Sequence, residues 1–151
     1  MSIRLSTGMR NKICEGGTGG GVKGALDGGF LYIFPGSQPT TPDAGATGTM
    51  LGKVSVNADG TTGLTFQLPA VLGVISKTTA QTWQFIGLVD GQAGWFRFSG
   101  PGDTPTSTSA TAARIDGTIG TAGADVDIGN SNIVTGAVNT VDKFSITMPG
   151  A

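Results

Sequence analysis

The sequence predicts an all-β fold, an antiparallel β-sandwich or jelly roll of about eight strands preceded by an N-terminal arm with a short helix. Three observations carry this. Glycine supplies 27 of 151 residues and charged residues only 13%, against typical values of about 7% and about 25%. The acids are aspartates except for Glu15, and aspartate favours turns over helix interiors. From Phe30 onward the apolar residues recur with period two in short runs bounded by Gly, Pro and Asp-Gly, the pattern of strands joined by turns. A hydrophobic content of 38% with so little charge argues against disorder. The length suits one core.

Residues 1–28 differ from the rest. Leu5, Met9 and Ile13 are spaced by four and share one helical face, Ser6 or Thr7 can cap that turn, and the Gly16–Gly21 run ends it. This segment reads as an arm with short helical turns and a Gly-rich linker. Residues 29–151 read as the β domain. FLYIF (Phe30–Phe34) is a continuous apolar run stopped by Pro35–Gly36, which fits a buried strand. A Pro/Gly/Thr loop follows, then MLGKVSV (Met50–Val56), ended by the turn signal NADG. GLTFQL alternates Leu64, Phe66 and Leu68 inward with Thr65 and Gln67 outward and stops at Pro69. TWQFIGLV (Thr82–Val89), Asp90–Gly91 and AGWFRFS (Ala93–Ser99) read as a hairpin. After a polar loop at Pro101–Ala110 come ARIDGTIG (Ala113–Gly120) and ADVDIG (Ala124–Gly129). The last strand alternates Phe144, Ile146 and Met148 inward with Lys143, Ser145 and Thr147 outward.

The composition removes most catalytic chemistry. Histidine is absent, which takes away the commonest general base, the Ser-His-Asp and Cys-His arrangements, and nearly all His-containing metal sites. Cys14 is the only cysteine, so it forms no intrachain disulfide and no thiolate zinc site. GGGVKG (Gly19–Gly24) matches the dinucleotide fingerprint in letters but precedes the first strand instead of following one. Asp116, Asp125 and Asp127 form the only acidic cluster. Asp125 and Asp127 at i and i+2 share a strand face and can contribute to calcium binding, yet calcium asks for six or more oxygens, so turn-forming surface aspartates are the competing reading. The residues point to no enzyme, no cofactor and no metal. The net charge of −1 gives no basic field for nucleic acid, no apolar run reaches membrane-spanning length, and MSIRLSTGMRNKI lacks a secretory core.

Two stretches are candidates for contact. Arg4, Arg10, Lys12 and Lys23 make the front end basic, and with Leu5 and Met9 it reads as an anchor on an acidic surface or as ordinary solvated charge. In WFRF, Phe96 and Phe98 point one way on a strand while Trp95 and Arg97 point the other. An indole beside a guanidinium stacks, and both residue types are enriched at binding hot spots. Three readings are open: a central strand buried on both sides, a subunit contact at Trp95 and Arg97, or a sugar-stacking surface.

IRLSTGMRN (Ile3–Asn11), YIFPGSQPTTPDAGATGTMLGKV (Tyr32–Val54), AGWFRF (Ala93–Phe98), ARIDGTIGTAGADVDI (Ala113–Ile128) and TVDKFSITMP (Thr140–Pro149) together resemble the small proteins encoded among tailed-phage structural genes. The resemblance covers most of the chain as an overall pattern without a catalytic signature, and the GGTGGG run departs from it. It implies a virion component made in the bacterial host cytoplasm and carried on the capsid surface, a decoration or cement protein that binds the major capsid protein and self-associates as a trimer or dimer. A tail, baseplate or fibre-associated β domain is the alternative within that class, and a carbohydrate-binding module using Trp83 or Trp95 is the alternative outside it.

Overall fold

The computed structural model describes residues 3–148 and 150. In chain order its elements are β1 (Arg4–Leu5), α1 (Thr7–Glu15), α2 (Gly21–Leu26), β2 (Phe30–Phe34), β3 (Gly52–Val56), β4 (Val74–Ser76), β5 (Trp83–Ile86), β6 (Gly91–Gln92), β7 (Trp95–Ser99), β8 (Arg114–Gly120), β9 (Val126–Ile128), β10 (Asn132–Ile133) and β11 (Val138–Thr147). The fold is all-β, as its turn-rich composition requires.

The strands do not form a sandwich. They run β8-β7-β2-β3-β5-β11, and β9 then pairs with both β11 and β8, closing a seven-stranded barrel. β1 adds to the outside of this ring on β8, β4 adds on β11, and β6 with β10 makes a separate ribbon. Closure rests on a parallel pairing, Ile119 with Val126 and Gly120 with Asp127. Parallel neighbours ordinarily need a long crossover, so a connection as short as residues 121–125 reads from sequence as an antiparallel turn. Here the Asp125 carboxylate accepts from the Thr118 amide at 2.9 Å and the Thr118 hydroxyl at 3.0 Å, and Asp127 accepts from the Ala124 amide. Those carboxylates hold the chain in the tight arch that brings β9 alongside β8.

The expected hairpin of Thr82–Val89 with Ala93–Ser99 is also corrected. β5 pairs with β3 and β11, whereas β7 pairs with β2 and β8. Asp90–Gly91 does not return the chain to its neighbour. The Asp90 carboxylate accepts from the Thr135 amide and hydroxyl, and Gly91–Gln92 pairs with Asn132–Ile133. A local turn signal was outweighed by contacts 40 residues away.

The barrel interior is filled by the inward faces. Leu31, Ile33, Val54, Phe85, Phe96 and Phe98 are among its fully buried residues. Each such side chain contributes about 1.5–3 kcal/mol relative to exposure. Aromatic rings meet at the centre, with Phe66 and Phe98 centroids 5.3 Å apart and Phe98 stacked on Phe144 at 6.0 Å. The barrel makes room for them by omitting side chains: a Cβ on Gly52 would lie 2.3 Å from the Phe85 ring. In β11 the inward positions jump from Val141 to Phe144, and the register of its pairing with β9 shifts between Val141 and Lys143. The three-residue step visible in the sequence is a β-bulge. Leu64 and Phe66 are buried as their alternation predicts, whereas Leu68, expected inward with them, is exposed; this segment makes only isolated bridges, to Gly29 and Lys77.

Residues 3–28 are not a free arm. Met9 and Leu26 are fully buried in the barrel core, and Leu5, Ile13 and Val22 pack against it. β1 pairs with β8 through Arg4–Asp116 and Leu5–Ile115. Ser6 caps α1 by accepting the Met9 amide, donates its hydroxyl proton to the Ala112 carbonyl, and accepts the Arg114 amide at 2.9 Å. A Cβ on Gly8 would sit 2.2 Å from the Thr111 carbonyl oxygen, so glycine there lets the helix lie directly on the chain that enters β8. The predicted helix face is borne out for Met9 and Ile13 on α1, whereas Leu5, expected on the same face, belongs to β1; all three pack into or against the core.

Candidate interaction surfaces and the buried ion-pair ladder

The outward faces of β7 and β8 carry Trp95, Arg97 and Ser99 beside Arg114, Asp116 and Thr118. Alternation places Trp95 and Arg97 away from the interior, as expected, yet they are 1% and 0% exposed. The loops 35–51 and 100–113 fold back over them. Trp95 stacks on Phe34 with ring centroids 4.7 Å apart in a second apolar cluster with Tyr32. The Arg97 guanidinium lies 5.6 Å from the Trp95 ring centre. Of the three readings left open, the strand buried on both sides is the one this geometry matches: within the chain, Trp95 and Arg97 are an internal fastening.

Its chemistry is that of a charge ladder. Arg97 and Asp116 are cross-strand partners. Arg97 Nε and Nη2 donate to the two Asp116 oxygens at 2.7 Å each, with both side chains fully buried. Arg97 Nη1 donates to the carbonyls of Ala44 and Pro105 at 2.8 Å, tying together one residue from each covering loop. One position along, Arg114 donates in the same forked way to Asp103 at 2.7 and 2.8 Å and to the carbonyls of Pro42 and Thr104. The planar fork of arginine allows two carboxylate oxygens and loop carbonyls to be held at once. A third carboxylate, Asp43, accepts the Thr7 amide and hydroxyl, linking the first loop to the start of α1.

These contacts set the carboxylate affinities for protons. Burial pushes Asp116 up, against the opposing pull of Arg97. Burial also acts upward on Asp103, but the forked Arg114 donors outweigh it and hold Asp103 below the ordinary range. Thr7 lowers Asp43. Thr62 and Thr61 lower Asp59 to about 2, and Thr135 lowers Asp90. A carboxylate lowered in the folded state contributes stability that is present above its unfolded value and lost as pH falls through its folded value. Asp43, Asp59, Asp90 and Asp103 act in that sense, and Asp116 acts in the opposite sense. The urea midpoint is therefore expected to fall as pH is lowered from about 4 toward 2. A midpoint unchanged across that range would contradict the assignment.

The remaining sequence candidates are dispersed. Arg10 and Lys12 are exposed on α1. Arg4 is exposed and donates to the Pro39 carbonyl. Leu5 is half-buried and Met9 fully buried, so the apolar half of the expected anchor is spent inside the protein. Asp116, Asp125 and Asp127 serve Arg97, Thr118 and Ala124 respectively, and among the described residues no group of three His, Cys, Asp or Glu is placed to hold a metal ion. Trp83 is fully buried and its Nε1 donates to Gln81, so neither tryptophan offers a stacking platform. A cleft of about 470 Å³ lies between the helices and the 100–113 loop. Its titratable lining residues are Lys12 and Asp103, and Asp103 is committed to Arg114. Among the described residues no helix is long and apolar enough to cross a membrane.

Two apolar surfaces were not singled out in the sequence. Ile86, Leu88, Val89, Val134 and Val138 are 43–60% exposed. They are neighbours because Val138 pairs with Ile86 and Gly87 bridges Thr135. Leu68, Val71 and Leu72 are 56%, 62% and 95% exposed on the uncharged run LPAVLGVI (Leu68–Ile75). Leu72 takes a left-handed φ of 53°, turning its side chain out at a tip. That run of apolar letters was the available signal, hidden because apolar runs ordinarily read as buried strand.

No family model matches this chain, and neither does any curated protein or solved structure.

Proposed function

We propose that this protein is a structural component of a tailed-phage virion, a decoration or cement protein that binds the major capsid protein on the outside of the shell. The observation that supports this best is the distribution of its side chains. The three buried charges, Arg97, Arg114 and Asp116, are held in ion pairs, Arg114 with Asp103, as struts for two loops, while large apolar residues stand exposed at two places on the surface. Chemistry by side chains is spent on fixing shape, and apolar area is left for contact, which suits a protein that works by binding surfaces. The sequence resemblance named above points the same way.

On this reading the basic surface of α1, with Arg10 and Lys12, meets an acidic part of the shell. Leu5 and Met9 support that surface from beneath. Barrel closure leaves no ring strand with a free edge for strand addition, so side chains carry the association. Repetition of the same contact over many shell subunits supplies stability without a tight single site. A tail or fibre location uses the same surfaces. The carbohydrate-binding alternative needs exposed indoles, and both are buried. Imaging particles that carry a tagged copy tests the proposal. Signal over the head is expected; signal confined to the tail, or none on the particle, would overturn it.

A further inference from the structure

The two exposed apolar surfaces lie at opposite ends of one strand. Val138 begins β11 and belongs to the patch with Ile86, whereas Thr147 near the other end of β11 pairs with Val74, next to the Leu72 tip. Ten residues of strand separate them by about 30 Å. The patch and the tip therefore face away from each other along the barrel, and one molecule cannot satisfy both.

The charges divide along the same direction. The chain that builds the patch end, residues 86–95 and 118–141, contains Asp90, Asp125 and Asp127 and no lysine or arginine. The chain at the tip end, residues 3–29 and 57–82, contains Arg4, Arg10, Lys12, Lys23 and Lys77 against Glu15, Asp27 and Asp59. Each end therefore carries an apolar surface with a charge opposite to that of the other end. Beside the tip, Val22, Ala70, Ile75 and Met148 line a further apolar groove of about 310 Å³ that includes Lys23, so the tip surface is wider than Leu72 alone.

We propose that copies of this chain associate head to tail, with the Leu68/Val71/Leu72 tip of one copy seated on the Ile86/Leu88/Val89/Val134/Val138 patch of the next. A second copy is the occupant because the charges match only in this arrangement. Tip against tip brings Lys77 toward its own counterpart, Lys23 being paired with Asp27, and patch against patch does the same for Asp90. The contact is heterologous, and such contacts propagate into rings or open chains. It stands whether or not the protein belongs to a virion.

The test uses the full chain and two variants, Leu72→Asp and Val138→Asp, at positions exposed enough to leave folding intact, as circular dichroism and thermal melting would verify. Sedimentation velocity over a wide concentration range should show association of the unaltered protein that weakens with added salt. Each variant alone should be monomeric. An equal mixture should regain a dimer and nothing larger, because Leu72→Asp keeps its patch and Val138→Asp keeps its tip. A monomeric unaltered protein at every concentration overturns the proposal. So does self-association by either folded variant alone, or the absence of a dimer in the mixture.

Discussion

Arg97→Met should lower stability by about 3–5 kcal/mol, the cost of leaving a buried charge without its partner. Asp116 would remain fully enclosed with both oxygens deprived of their Arg97 donors, and the carbonyls of Ala44 and Pro105 would each lose one of two donors, keeping Arg114 Nη1 and the Ala46 amide respectively. In a protein of this length the melting temperature should drop on the order of 10 °C. The companion variant separates charge from packing. Replacing both members of such a pair by apolar residues of similar volume is often neutral or stabilising, so Arg97→Met with Asp116→Leu should recover much of the loss. Full recovery is not expected, because the link from Arg97 to both covering loops is still lost. Were Arg97 an outward handle, the single substitution would change stability by no more than about 0.5 kcal/mol, as surface changes do.

Deleting residues 2–23 should abolish cooperative unfolding of the barrel. An arm would come away and leave the β domain intact; this segment would not. It carries Met9 in the core, Leu5 against Ile115 in β8, and the Ser6 side chain that joins α1 to Ala112 and Arg114. Met9→Ala alone should cost about 2–5 kcal/mol through the cavity it leaves. Thermal melts followed by near-ultraviolet circular dichroism would report both. A truncated chain with an unchanged melting transition would restore the arm.

Much of the local structure was legible because alternation and helical spacing are local facts. Phe30–Phe34 and Trp95–Ser99 are strands where the apolar and aromatic runs place them, and the spacing of Met9 and Ile13 marks a helix with Ser6 as its cap, although Leu5, counted on the same face, lies before the cap in β1. What was not legible depends on partners far along the chain. Period two states that Phe96 and Arg97 face opposite ways, but not whether the outer face meets water. Here Ala44 lies 53 residues away and Pro105 eight, and their loops make Arg97 an interior residue. The same limit explains the barrel. A run such as ADVDIG reads as a strand, but only the parallel pairing of Val126 with Ile119 turns an open sheet into a closed one. The exposed tip escaped for the converse reason: LPAVLGVI has the letters of a core strand, and its exposure follows from the reversal at Leu72–Gly73.

The most direct test of the proposed decoration role is quantitative mass spectrometry of virus particles purified from cells that express this chain, giving its copy number relative to the major capsid protein. A decoration role requires a copy number that scales with the shell protein. A few copies per particle, or none, would contradict it.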